Sequence, residues 1–301
     1  MTLIPTFNDF LATDWARLHP GDTNADAQWA VYDQAVYERV QMMLTDPALQ
    51  CSEGAATDIL AEDLLETFFD SEWVTKRFAL ADTRGLGDLR WLLPAHRRRE
   101  LARRVYEFQS FPWFQHFIDH TRTNEVPSAL FEGDVLSALM HLPATVTRNQ
   151  TTGVRGQDFD VLVEHFGEQP RIPVEVKNKD DDAEFTDTAV RRILKKAATQ
   201  LPGGEIGWVF LRIPSAWVGS RLEDEYDVML HDAVRQTSKI GAVFTAIDKG
   251  HVDSERKTVS VNRVWHYFPR CDAPEPLWEA SRNLYRLLEQ GMDFLAPRAP
   301  F

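Results

Sequence analysis

The sequence predicts an α/β protein: a helical N-terminal region over residues 1–125, then a central mixed β-sheet flanked by helices over residues 126–301. Three observations lead to that class. Before Glu125, apolar residues recur at steps of three and four, the period of an amphipathic helix. After Thr145, short apolar runs alternate with period two, as strands do. From Ser128 onward the elements follow the order helix, three strands, helix, strand.

In the first region, Ala25 to Leu44 carries Trp29, Val31, Tyr32, Ala35, Val36, Val40 and Met43 on a helical stripe, and Ile59 to Phe69 repeats the pattern. Thr83 to Asp88, with Gly85 and Gly87, predicts a loop. Pro94 suits the first turn of a helix running through Tyr106, and the aromatic stretch Pro112 to His120 continues as another. Thr121 to Pro127 forms the junction.

In the second region Ser128 is positioned to cap a helix that reaches His141 and stops at Pro143. Strands are expected at Thr145–Arg148, Asp158–Val163 and Ile172–Asn178, the last two joined by a connection holding Gly167 and Pro170. A helix over Thr188–Leu201, the turn Pro202-Gly203-Gly204 and a strand over Gly207–Arg212 follow. Leu222–Lys239 reads as a helix, Ala242–Ile247 and Thr258–His266 as strands, and Pro276–Gln290 as a last helix. The chain has no internal repeat and no low-complexity segment.

The chemistry concentrates in two strands. Alternation sets Asp158, Asp160 and Leu162 on one face and Phe159, Val161 and Val163 on the other. In the next strand Glu175 and Lys177 share a face opposite Val174 and Val176. Paired, the strands gather carboxylates and an ammonium on one side, a costly burial unless the carboxylates hold a metal. Asp160 is the preferred ligand, with Asp158 as the alternative on the same face. Glu132 falls on the apolar face of its helix, with Val135, Leu136 and Leu139 three, four and seven positions on, whereas Asp134 is expected toward solvent.

An Asp ahead of the apolar run Val161-Leu162-Val163, followed by Glu175-Val176-Lys177, resembles the PD-(D/E)XK nuclease superfamily over roughly Ser128 to Ile213. The resemblance implies a restriction-endonuclease-like core in residues 126–301 and a Mg²⁺-dependent phosphodiesterase, most simply a DNA endonuclease of restriction, phage defence or repair. It implies Asp160, Glu175, the Val176 carbonyl and Glu132 as metal ligands, with Mn²⁺ able to replace Mg²⁺. Asp160, Glu175, Lys177 and Glu132 become the catalytic set, with Lys177 orienting or helping to deprotonate the attacking water.

The net charge of −13 argues mildly against a passive nucleic-acid coat. Up to Glu125 there are 20 acidic and 12 basic residues, and beyond it 26 and 21, so the second region is nearer neutrality. Two cysteines, Cys51 and Cys271, make no disulfide framework, and no Cys-x-x-Cys suggests zinc. Neither a signal peptide nor a membrane span is expected, which together with the cysteines suits a cytoplasmic protein. DNA is the expected partner, a homodimer stays open, and no membrane is involved.

Other candidates carry bland readings beside the functional one. Arg97, Arg98, Arg99, Arg103 and Arg104 wrap around a helix and are expected at the surface first, on nucleic acid second. Arg191, Arg192, Lys195 and Lys196 form the outer face of the Thr188 helix, solvated or gripping a phosphate backbone. Gln200 lies near the inward face, where related nucleases place a polar helper. The loop Arg148 to Gly156 could approach a phosphate or simply be surface. His116 and His120 have ligand spacing but no third partner, and Gly85-x-Gly87 lacks the Lys of a phosphate loop. Two other functions compete with the enzyme: a nuclease-fold protein that binds without cutting, and a scaffold whose N-terminal helices are the working surface.

Overall fold

The computed structural model describes residues 37–46, 53–78, 92–109, 111–142, 144–149, 153–154, 156–165, 171–179, 186–214, 222–253 and 258–289. The expected helix over Ala25–Leu44 is helical where it is described, at 37–45 (α1); its first part, the Thr83–Asp88 loop, Pro143, Arg155 and the Gly167–Pro170 connection lie outside. The chain divides into two compact units, and the division falls between Leu130 and Phe131.

The first unit is helical. After α1 come α2 (Glu53–Phe68), α3 (Ser71–Arg77), α4 (Leu92–Phe108) and α5 (Phe114–Thr123). Asp70 caps α3, its carboxylate accepting the Trp73 N–H at 2.7 Å. The packed face of α4 carries Leu101, Val105 and Phe108, and the Phe108 ring meets Phe117 of α5 edge-on at 5.1 Å. The arginine cluster departs from its expected surface position. Arg103 and Arg104 are buried, Arg104 bonds Glu107 at 2.5 Å, and Arg98 and Arg99 pair with Glu62 and Asp58 of α2 at 2.5 and 2.7 Å. Consecutive arginines on a helix must point in several directions, and here acidic partners on α2 and α4 itself make burial tolerable.

Helix α6 (Val126–Met140) starts earlier than its expected Ser128 cap, because Pro127 fits a first turn that needs no N–H from it and the Glu125 carbonyl accepts the Ser128 N–H at 3.0 Å. Residues 129–139 are all buried, Asp134 included, so the solvent side expected for Asp134 does not exist. The reason lies in the sequence of the helix, whose small and apolar residues run all round it and leave no polar stripe.

The second unit is a six-stranded mixed sheet in the order β1 (Ala144–Arg148), β2 (Val161–His165), β3 (Arg171–Asn178), β4 (Gly207–Ile213), β5 (Ile240–Asp253), β6 (Thr258–Pro269). Only β3–β4 and β4–β5 are parallel, and helices α7 (Asp187–Gln200) and α8 (Leu222–Gln236) make those two crossovers. Thr186 caps α7 by accepting the Ala189 N–H at 3.1 Å. As its sequence pattern requires, Val190, Leu194 and Ala197 are buried while Arg191, Arg192, Lys195 and Lys196 are exposed. They join Val209 and Leu211 of β4, Leu230 and Val234 of α8, and Val243 of β5 in one core. On the opposite face Phe131 of α6 stacks on Trp265 at 6.2 Å, and Tyr285 of α9 (Glu275–Glu289) stacks on Tyr267 at 5.1 Å. Among the described residues no helix is long and apolar enough to cross a membrane.

Candidate active site

The site begins with an irregularity in β2. Its strand starts at Val161, three residues later than the alternation predicts, because Asp160 and Val161 both face Val174: Val161 pairs with it in register, and the Asp160 N–H donates to its carbonyl at 3.0 Å. Two residues against one is a β-bulge, which breaks alternation and re-aims a side chain. Phe159 therefore packs in the α7–α8 core, while Val161 lies on the other face beside Val174 and Trp208, so the two do not share a face as expected. The bulge turns the Asp160 carboxylate back onto β3, where Oδ2 accepts the Val176 N–H at 2.7 Å.

Glu175 and Lys177 alternate with Val174 and Val176 as the sequence predicts, and register places them beside Val209 and Leu211. Glu175 is 0% exposed. The Lys177 ammonium donates to its Oε1, and its Oε2 is buried without a partner. An acceptor left so is costly, and it marks a place that a further cation or donor would satisfy.

Glu132 is buried, as its place on the apolar face requires, and it is ion-paired. The Arg148 guanidinium reaches its Oε1 through Nε at 2.7 Å and Nη2 at 2.5 Å. Arg148 ends β1, as the expected strand Thr145–Arg148 has it, and is buried there rather than opening a surface loop; its Nη1 has no hydrogen-bond partner. Register sets Arg148 across from Val161, on the face opposite Glu175 and Lys177. The alternation of β1, with Thr145 and Thr147 exposed between inward positions, carries the signal for this residue.

The charges of these groups act on one another. Burial first, then the Glu132 charge, pushes Asp160 up to about 7, against the pull of Lys177, the Val176 N–H and Arg148. Burial and then Asp160 push Glu175 up to about 8, although Lys177 opposes this. The two strand carboxylates thus share a field richer in negative charge than in positive. The remaining candidates fall around the bulge or away from it. Asp158 accepts the Gly153 N–H at 2.9 Å, and its carbonyl accepts Gln200 Nε2 at 3.2 Å, so both brace the approach to Asp160. His116 and His120 lie on α5 in the first unit.

Among the described residues no group of three or more His, Cys, Asp or Glu is arranged to hold a metal ion. Glu132 is occupied by Arg148, and Asp160 and Glu175 remain as two oxygen donors, one with an unpartnered buried oxygen. Two carboxylates suffice for Mg²⁺, which keeps several waters and uses substrate phosphate for the rest. The residues present therefore fit a small hard cation at Asp160 and Glu175. No protein-family model matches the chain, and neither does any curated protein.

Proposed function

We propose that this chain is a metal-dependent nuclease that hydrolyses phosphodiester bonds, with DNA as substrate and a restriction-endonuclease-like core in its second unit. The observation that carries this reading is the fully buried Glu175 carboxylate, bonded to Lys177 through one oxygen and unpartnered at the other, with Asp160 bonded to the adjoining Val176 N–H. Asp160 and Glu175 would hold the ion, with Mn²⁺ able to replace Mg²⁺ and the Val176 carbonyl as the further contact the resemblance implies. When bound, Mg²⁺ supplies a Lewis acid and a more acidic water.

The chain's own residues do the rest. The Val176 N–H fixes one Asp160 oxygen. Lys177 sits with its ammonium on Glu175 Oε1, where it can shift to a phosphate oxygen or orient water as the carboxylate is claimed by a cation. Phosphate attraction has a second support. Between α7 and α8 a cavity of about 450 Å³ is lined by Arg191, Lys195, Lys239 and the hydroxyl residues Thr199, Thr237 and Ser238, with no carboxylate among its lining residues. A cationic groove in a chain of net charge −13 is the sort of local patch that backbone binding requires.

The test is cleavage of supercoiled and linear DNA with Mg²⁺, Mn²⁺ or a chelator, using Glu175→Ala as the inactive control. Absence of cleavage under every divalent ion would leave a second reading, a nuclease-fold module that binds without cutting. The internal ion pairs Arg148–Glu132 and Lys177–Glu175 favour that alternative, because they partly neutralise the cluster without any metal.

A further inference from the structure

We propose that the groove between α7 and α8 is a phosphate-binding site in its own right, with Arg191, Lys195, Lys239 and Ser238 as the groups that hold the anion. None of these residues belongs to the Asp160 and Glu175 pair, so the proposal does not rest on a metal there. The cavity measures about 450 Å³, within the roughly 300–1,000 Å³ of small-molecule sites.

Position along the helix selects the cations. Arg191 and Lys195, four residues apart on α7, share one face and line the groove, whereas Arg192 and Lys196 are exposed outside it. Lys239 arrives from the turn after α8. Elsewhere in the second unit Arg148, Lys177, Arg212, Arg263 and Arg270 each bond a carboxylate. Among the described residues no carboxylate pairs with Arg191, Lys195 or Lys239. Arg191 Nη1 donates only to the neutral Gln236 Oε1, at 3.4 Å, and Lys239 Nζ gives one of its three protons to the Leu201 carbonyl at 2.7 Å. Three positive charges thus border one cavity with no anion to offset them, in a chain of net charge −13.

The groove lies toward the C-terminal ends of both helices, where bare carbonyls would repel an anion. Donors already cover them. Thr199 Oγ1 donates to the Lys196 carbonyl at 2.7 Å, Thr237 Oγ1 to that of Ala233 at 2.8 Å, and Arg270 Nη1 to that of Thr237 at 3.2 Å. With both threonine protons spent, Ser238 is the hydroxyl left to donate. Buried Leu194 and Ala233 add apolar surface against which the carbon skeleton carrying the phosphate can pack. The ligand class is therefore a phosphate ester, whose oxygens accept from guanidinium, ammonium and hydroxyl together. Its source is a nucleic-acid backbone or a free phosphorylated small molecule, and the two are separable.

The experiment measures binding to the full chain in the presence of a chelator, so that no divalent ion contributes and nothing is cut. The probes are a short labelled DNA duplex, followed by fluorescence anisotropy, and a nucleoside monophosphate and inorganic phosphate, followed by calorimetry. Arg191→Gln with Lys195→Gln should weaken binding by about tenfold or more, the scale of losing charged hydrogen bonds. Both side chains are exposed, so the fold should persist, and a thermal melt checks it. Arg192→Gln with Lys196→Gln removes the same charge from the same helix outside the groove and should leave affinity close to the wild type. Binding of the duplex alone assigns the phosphate to a nucleic-acid backbone, and binding of the monophosphate assigns it to a free ester. Equal or larger losses in the Arg192 and Lys196 variant would reduce the groove to diffuse charge, and silence with every probe would remove the site; either result overturns the inference. Neither touches the nuclease reading, which is decided separately by metal-dependent cleavage and its loss in Glu175→Ala.

Discussion

Asp160 Oδ2 accepts the backbone N–H of Val176 at 2.7 Å, so a side-chain carboxylate takes the ladder position that a strand carbonyl would otherwise fill. This bond ties the bulge of β2 to the Glu175-Val176-Lys177 segment and makes the position of Asp160 a consequence of sheet structure. It also distinguishes Asp160 from Asp158, whose carboxylate closes a loop on Gly153.

Asp160→Asn should therefore abolish metal-dependent cleavage, a loss of about a hundredfold or more, the upper range for changes around a metal site. Asp158→Asn retains an oxygen able to accept the Gly153 N–H and should keep most activity. Plasmid nicking rates for the two variants check this; equal losses would mean that both aspartates act at the centre.

Lys177→Ala removes a positive charge and no oxygen donor. It should lose cleavage yet bind Mg²⁺ as well as or better than the wild type, because the repulsion of a neighbouring ammonium is gone. Glu175→Ala should weaken metal binding itself. Calorimetric titration beside a cleavage assay separates the two effects, and loss of metal binding in Lys177→Ala would refute the assigned role.

The raised carboxylates make stability fall with pH when no metal is present. Asp160 moves from an ordinary 3.8 to about 7 and Glu175 from 4.5 to about 8, so the folded state holds their protons more tightly than the unfolded chain. Across that window, from roughly pH 4 to 8, unfolding releases protons and their contribution to stability is lost as pH rises. Saturating Mg²⁺ should stabilise increasingly over the same range, since it needs the ionised forms. Thermal melts at pH 5, 6, 7 and 8 with and without Mg²⁺ test both signs.

A second ion-pair network involves none of the candidate site residues. Arg263 bonds Asp134 of α6 and reaches Asp248 at 2.6 Å, and Arg212 reaches Asp248 at 2.8 Å and Asn178 at 3.1 Å. Burial alone would raise Asp248, but Arg263 and Arg212 hold it far below the usual carboxylate range. Arg263→Met should destabilise by about 3–5 kcal/mol, because it leaves buried carboxylates without their shared cation. Urea unfolding measures it, and a change under about 1 kcal/mol would show the network to be dispensable.

Gly207→Ala should be poorly tolerated. A Cβ there would meet the Pro173 carbonyl oxygen at 2.2 Å, backbone that cannot swing aside where β3 and β4 pair. A loss above about 4 kcal/mol, or no soluble folded protein, is expected. A near-normal melting temperature would contradict the close approach of the two strands.

Much of the fold is legible in the sequence, because one-dimensional periods determine which residues of a strand or helix turn inward. The inward stripe of α7, the alternation of Glu175 and Lys177 against Val174 and Val176, and the burial of Glu132 all follow from spacing within one element. What spacing cannot encode is the partner across space. Asp134 and the α4 arginines read as solvent-facing because charge favours water, yet Asp134 meets Arg263, and Arg98 and Arg99 meet Glu62 and Asp58, so opposite charges draw these groups inward. The bulge at Asp160 needs β3 to exist before it can form, so alternation alone put Phe159 on the wrong face. By itself the sequence determined the two strands and the acidic and basic residues they carry. Only the tertiary structure decided that Arg148 claims Glu132 while Asp160 bonds the Val176 N–H next to Glu175, because long-range pairing depends on distance through space and not along the chain.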